Sequence, residues 1–317
     1  MKKVVLAICC ALVLSGQAVA SSLTVYSAGP NHLIRALAQD FYQETGVRVE
    51  VFQGTTGQVL SRLEAERNNP LADVVISASW DSAEDLKQQG ILAPLQLTNS
   101  EQVPDFLKDS HYIAQGVSAL SLVVNTGSGL PLPNDWFDVA EPHYQDQVTM
   151  PDPGQSGSAF ELLTGLLSAQ GEEATWQFFA EMKDRGMIVP GPNARALNPV
   201  LQGARGLVFG AVDYIAFNHQ ARGESIEIIF PASGTVIAPR PMMVTASSQN
   251  QQVAMDFIDF VLSDQGQKQV ADVYLMPARS DVQGQRPGLD ALEIITPDSA
   301  LTEQREELIH RFRRVME

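Results

Sequence analysis

Four short stretches place small hydroxylated residues and glycines together: Ser27-Ala28-Gly29, Gly54-Thr55-Thr56-Gly57, Ser77-Ala78-Ser79 and Ser156-Gly157-Ser158. Hydroxyls and backbone N–H groups can hold an oxyanion without a formal counter-charge, and a glycine lets the main chain come close to it. Each stretch lies between a run that reads as a strand and one that reads as a helix, so the same groups are also helix caps. For one loop, capping alone is a sufficient account. Four loops facing one cleft make capping and anion binding the same act, with Ser27, Gly29, Thr55, Thr56, Ser77, Ser79, Ser156, Gly157 and Ser158 as the candidate donors.

Competing chemistries are poorly served. Residues 154–158 (GQSGS) nearly match the G-x-S-x-G nucleophile elbow, but Ser158 stands where the last glycine belongs, and Pro151 and Pro153 break the strand that should precede it. A secreted serine hydrolase acting through Ser156 is thus a remote alternative. Neither the G-x-x-x-x-G-K-[ST] phosphate loop, the G-x-G-x-x-G fingerprint nor H-E-x-x-H occurs. His32, His111, His143, His219 and His310 are scattered without ligand spacing. The residues point to binding rather than catalysis, with no cofactor and no metal expected.

The elements that must position the loops alternate. Residues 23–26 read as a strand. Leu33, Ile34, Leu37, Ala38 and Phe41 then recur at helical spacing, with Asn31 as cap and Gly46 as stop. Val47, Val49 and Val51 alternate with Arg48 and Glu50 as a second strand, a helix runs to about Arg67, and residues 72–77 form a buried third strand. After a helix over 80–89, the stretch 94–104 interrupts the rhythm and 117–125 resumes it as a strand, which marks a lobe boundary. The second half repeats this alternation, with strands near 148–150, 187, 207, 226–230 and 236–244, and helices over 158–168, 172–185, 251–262 and 264–274. Trp176, Phe179 and Met182 are core at helical spacing, and Leu308, Ile309, Phe312 and Val315 form the docking face of a C-terminal helix. The pattern predicts an α/β protein of parallel sheets covered by helices, whose ligands sit beyond the carboxyl ends of the strands.

With 317 residues, 44% of them apolar, the chain can form two cored lobes. A net charge of −16 disfavours nucleic acid as a partner. Lys2 and Lys3, the apolar run 4–14 and Ala18-Val19-Ala20 read as a secretory signal peptide over residues 1–20. Its removal would leave 297 residues of net charge −18 and discard both cysteines, Cys9 and Cys10, so disulfides and thiolate chemistry are excluded. These features fit an exported protein of a bacterial periplasm.

Six segments in order resemble one family: Leu23-Thr24-Val25-Tyr26, 41–51 (FYQETGVRVEV), 66–75 (ERNNPLADVV), Gly90-Ile91-Leu92-Ala93-Pro94, 257–270 (FIDFVLSDQGQKQV) and 275–282 (LMPARSDV). Together they are similar to the bacterial extracellular solute-binding proteins of ABC importers, in particular the ferric-ion-binding and 2-aminoethylphosphonate-binding branches. The resemblance implies a type II periplasmic binding protein: two α/β lobes around a hinged cleft, crossed near 112–118 and 232–239. Lobe 1 would comprise 21–112 with 239–280, and lobe 2 would comprise 113–238 with 281–317. It further implies a monomer that delivers a small anionic solute to an inner-membrane permease and does no chemistry on it.

The ferric branch uses a histidine, a glutamate and a tyrosine pair. His32 matches the histidine, but Ala78 stands at the glutamate position and Asp213-Tyr214 at the tyrosine pair, which weakens the iron reading. The phosphonate branch fits better: Ser156, Gly157 and Ser158 match its anion-holding stretch, Asn193 a polar contact, and Asp213 an aspartate that pairs with the ligand's amine. Arg195 is a further candidate for neutralising charge. Asp213 also reads as a helix cap.

Overall fold

The computed structural model describes residues 22–317; the export signal read over 1–20 lies outside the described residues. The first lobe opens with β1 (Ser22–Ser27), α1 (Asn31–Thr45), β2 (Arg48–Gln53), α2 (Thr56–Ala65), β3 (Val74–Ile76) and α3 (Trp80–Gln88). β1 pairs in parallel with both β2 and β3, as the alternation predicts. Helix α1 buries Leu33, Ile34, Leu37, Ala38 and Phe41 on one face and stops at Gly46, whose φ of 75° suits a residue without a Cβ. Its N-cap is Pro30 rather than Asn31, which lies inside the first turn and accepts a bond from Arg35 Nε. Helix α2 starts with a capping box between Thr55 and Gln58.

Strand β4 (Tyr112–Asn125) begins five residues earlier than the sequence pattern indicates and is almost wholly buried. The second lobe follows with β5 (Val148–Pro151), α4 (Gly157–Gln170), α5 (Glu172–Asp184), β6 (Ile188–Gly191), α6 (Asn193–Leu201), β7 (Leu207–Val212), α7 (Asp213–Ala221) and β8 (Ile226–Ile229). Helix α6 carries Pro199 in its interior, which hides it from a periodicity reading. Strand β9 (Thr235–Val244) follows, and then α8 (Gln251–Val261), α9 (Asp264–Asp272) and β10 (Met276–Pro277), which bury apolar residues in the same core as β1, α1 and β3. The chain ends with β11 (Ile294–Ile295), α10 (Ser299–Thr302) and α11 (Arg305–Met316).

The sheet runs β2-β1-β3-β9-β4-β7-β5-β6. β4 and β9 are its shared spine: the first half of β4 pairs with the second half of β9, while the rest of β4 pairs with β7 and β8. One apolar core gathers Leu23, Phe41, Ile76, Val117, Met242 and Phe257; a second gathers Leu120, Phe160, Phe179, Phe209, Val236 and Phe312. Trp176, Phe179 and Met182 are buried in the second core, and α11 docks there through Leu308 and Phe312.

The register of β4 on β9 shifts between Ala114 and Val117, an irregularity at Gln115-Gly116. A Cβ on Gly116 would lie 2.8 Å from the Met276 carbonyl oxygen of β10, so only glycine permits that approach. Such an irregularity redirects a side chain. Here the residue is Gln115, whose Oε1 comes to within 3.6 Å of the position a Cβ on Gly29 would take.

Candidate functional site

The carboxyl ends of β1, β2 and β3 are adjacent, so their loops are too. Ala28 N–H donates to the Ile76 carbonyl and Gly54 N–H to the Ser27 carbonyl, which ties the first, second and third hydroxyl loops together. Thr56 Oγ1 accepts from Ala78 N–H at 3.3 Å, and Ser27 Oγ from Gly29 N–H at 3.1 Å. Thr55 Oγ1 accepts from Gln58 N–H as the cap of α2. A hydroxyl that accepts from the backbone keeps its own hydrogen for another acceptor. Ser77 Oγ accepts from Ser79 N–H and lies 2.7 Å from Ser82 Oγ.

The fourth loop comes from the second lobe. Ser156 caps α4, accepting from Ala159 N–H, and lies 3.0 Å from Ser158 Oγ; Asn193 Nδ2 donates to both serines. Of the hydrogens on Ser156 and Ser158, one is used between them and one is left.

The two lobes touch here. A Cβ on Gly157 would lie 2.6 Å from the Ala78 carbonyl oxygen, and one on Gly57 would lie 2.7 Å from the Gly154 carbonyl oxygen. Both glycines are required by close approach across the cleft rather than by a positive φ.

Ser79 is placed differently from its neighbours. Its hydroxyl donates to Asp81 Oδ1 and accepts from Arg305 Nη1 of α11, whose guanidinium also pairs with Asp81 at 3.1 Å and covers the Phe160 ring at 4.2 Å. Beside it Glu161 Oε1 of α4 accepts from Trp80 N–H at 2.7 Å, on the first turn of α3. Burial, then the nearby Asp81 carboxylate, holds the Glu161 carboxyl well above the ordinary range. Ser79 therefore belongs to a clasp between the lobes.

The Asp213 carboxylate, expected to meet a ligand amine, is already occupied: it forms a fully buried ion pair with Arg286 and accepts from Ala119 N–H and Tyr214 N–H. Burial raises its pKa to about 6, against the lowering pull of Arg286 and the two N–H groups. Its N-cap reading also yields, since Val212 precedes α7 as the cap. His32 is exposed in the first turn of α1, directly after the loop that carries Ser27 and Gly29, and Arg195 is exposed as well. Tyr214 is half-buried and touches both apolar cores.

Three further side chains at this place escape a reading of the sequence alone. Arg240, on β9, is only 1% exposed; its Nη1 donates to the Ala28 carbonyl at 3.2 Å, and its guanidinium lies 5.0 Å from the centre of the Tyr214 ring. Gln115 is equally buried, with its Oε1 unpartnered, and Gln53 Nε2 donates to the Gly29 carbonyl while its Oε1 is unpartnered. The available signal for Arg240 is an arginine between two prolines in an otherwise apolar strand, TVIAPRPMMV.

A cavity of about 1460 Å³ lies between α2, α3 and the start of α11, bordered by Gly57 and Gly154 of the interlobe contact and by Asp81 and Arg305 of the clasp. Its wall includes Glu64, Glu66, Glu84, Asp85, Glu303 and Glu307, a lining that repels an anion. Among the described residues no group of three or more histidines, cysteines, aspartates or glutamates is disposed to hold a metal ion, and no helix is long and apolar enough to cross a membrane.

Residues 69–293 match the family model described as bacterial extracellular solute-binding protein. A putative 2-aminoethylphosphonate-binding periplasmic protein of Salmonella typhimurium is 23% identical over 276 residues, which cover 83% of this chain and 80% of that one. Among solved structures, AfuA from Actinobacillus pleuropneumoniae with fructose-6-phosphate bound superposes with a TM-score of 0.86 at 20% identity, over 93% of this chain and 98% of the other. Iron-bound HitA from Pseudomonas aeruginosa gives 0.82 at 20% identity, over 93% and 99%. At these identities the structural likeness establishes the fold.

Proposed function

We propose, from the premise that this chain belongs to the bacterial extracellular solute-binding proteins, that the solute it captures is a small organic oxyanion, a phosphonate or a phosphate ester. The protein is the periplasmic solute-binding component of an ABC importer, with the two-lobed fold of that class. The observation that supports this choice of ligand is the approach of the loops: those bearing Thr55, Thr56 and Ser77, tied to the Ser27 loop, abut the one bearing Ser156 and Ser158 where Gly157 faces Ala78 and Gly57 faces Gly154, and Asn193 bonds both of those serines. Helix N-termini add unpaired N–H groups and a partial positive charge to the same place. Relatives named for 2-aminoethylphosphonate and a fold neighbour holding fructose-6-phosphate support this class.

On this reading the protein acts as a monomer and catalyses nothing. The lobes divide on β4 and β9, with 21–112 and 239–280 in one and 113–238 and 281–317 in the other, and an inner-membrane permease receives the solute. The ferric alternative, supported by the likeness to HitA, would seat a trivalent cation beside the Arg240 guanidinium, which opposes it. Calorimetry of ligand-free protein against 2-aminoethylphosphonate, fructose 6-phosphate and inorganic phosphate tests the class. Binding of at least one organic oxyanion is expected. A silent panel together with a visible phenolate-to-iron band on adding ferric citrate would transfer the assignment to iron.

A further inference from the structure

We propose that Arg240 is the counter-charge of the captured solute, so that the oxyanion is held by one buried guanidinium as well as by neutral donors; this rests on the oxyanion reading of the site. A guanidinium keeps its charge inside a protein, and a buried charge without a partner is costly. Arg240 is 1% exposed, yet among the described residues no carboxylate lies within ion-pair distance of it. Arg286, Arg279 and Arg305 are each paired with carboxylates, Arg286 with Asp213, Arg279 with Asp264 and Asp281, and Arg305 with Asp81, although Arg286 Nη2 is also without a hydrogen-bond partner. Arg240 has only the Ala28 carbonyl and the face of Tyr214, and its Nε is buried without a hydrogen-bond partner.

Its position gives the missing partner a chemistry. Ala28 belongs to the first hydroxyl loop, and the neighbouring Pro241 carbonyl accepts from Ser77 N–H of the third. An anion at the guanidinium is therefore between two of the loops. Tyr214, which covers the guanidinium, follows β7 of the other lobe, so closure is what removes Arg240 from water. Gln115, just as buried, offers an unpartnered Oε1 near Gly29. A solute that satisfies both side chains carries a hydrogen-bond donor, amine or hydroxyl, in addition to its anionic group.

The test compares full-length mature protein with Arg240→Met and Arg240→Lys, each freed of ligand by unfolding and refolding. Affinity for 2-aminoethylphosphonate and fructose 6-phosphate is measured by calorimetry, the solute retained on purification by native mass spectrometry, and the ligand-free melting temperature by calorimetric scan. For Arg240→Met we expect a loss of about 100-fold in affinity, no retained solute and a ligand-free melting temperature equal to or above that of the parent. Arg240→Lys should recover part of the affinity. A ligand-free Arg240→Met that melts several degrees lower, or that keeps the parent's affinity or retained mass, overturns the proposal and makes the arginine structural. If the parent ignores both compounds, the oxyanion class fails by itself, and the ligand-free melting and retained-mass comparisons still decide the role of Arg240.

Discussion

Two buried arginines meet the first turn of α7, and they differ in what they lack. Arg286 has Asp213, with the Ala119 and Tyr214 N–H groups completing the carboxylate. Arg240 has the Tyr214 ring and one carbonyl. A charge satisfied from within the chain belongs to the frame, and one left unsatisfied has a partner that comes and goes. The place of Asp213 in a family pattern points to a ligand contact. The structure shows instead that 73 positions further along the chain an arginine returns to occupy it.

Breaking the frame should have the largest effect. Asp213→Asn takes the carboxylate from Arg286 and should lower stability in chemical denaturation, by less than the roughly 3 to 5 kcal/mol of a broken buried pair because burial already disfavours the ionised carboxyl, whereas Asp213→Asn combined with Arg286→Met should recover much of the loss. The pH dependence follows from the same pair. The folded pKa of about 6 exceeds the ordinary 3.8, so between these values the folded state holds more proton than the unfolded one. This group's contribution to stability is therefore greatest at acid pH and declines as pH rises through that window. Asp213→Asn should remove that slope from a plot of unfolding free energy against pH. A variant that keeps full stability but loses only amine-bearing ligands would restore Asp213 to the ligand and dissolve the contrast with Arg240.

Gly157→Ala tests the cleft instead of the frame. Its Cβ would meet the Ala78 carbonyl oxygen of the opposite lobe at 2.6 Å, so the lobes should fold but fail to close. We expect a loss of at least about tenfold in affinity for 2-aminoethylphosphonate with an unchanged ligand-free melting temperature. Small-angle scattering should show no compaction when ligand is added. Gly57→Ala, facing Gly154, should act in the same direction. If either variant closes normally, the two lobes do not trap solute at these loops.

The clasp gives a smaller, pH-linked effect. Glu161 meets Trp80 N–H only when the lobes are together, and burial beside Asp81 raises its pKa there. Closure then takes up a proton, so affinity should increase as pH falls through the range above the ordinary glutamate value. Glu161→Gln keeps an acceptor for Trp80 N–H without the charge and should flatten that dependence in calorimetry at several pH values. An unaltered profile would locate the proton uptake elsewhere.

Much of the fold is legible in the sequence because hydrophobic period records which face is buried: the strands and helices from β1 to α3 follow the alternation of valines and the spacing of Leu33, Ile34, Leu37 and Phe41. Helix α6 is hidden by Pro199, and the early start of β4 by Gln115 and Gly116, whose register shift is set by tertiary contacts with β9 and β10. The hydroxyl loops are visible as strand-to-helix junctions. Arg240, Gln115 and the Glu161–Arg305 clasp are not, because their meaning lies in which partners are missing or are supplied from 81 to 226 positions away. Local spacing carries no record of that.

The finest division lies within the hydroxyl set itself. Ser79 gives its hydrogen to Asp81 and accepts from Arg305, whereas Thr56 accepts from Ala78 N–H and has its hydrogen free to donate. Thr56→Val should therefore weaken binding of 2-aminoethylphosphonate by about tenfold, the value of one lost hydrogen bond to a charged acceptor. Ser79→Ala should alter affinity only through the clasp, so its effect should vanish in an Arg305→Met background while that of Thr56→Val persists. Measured by calorimetry as a double-mutant cycle, equal and additive losses for both hydroxyls would mean that Ser79 also reaches the solute, and the separation of clasp from binding ring would fail.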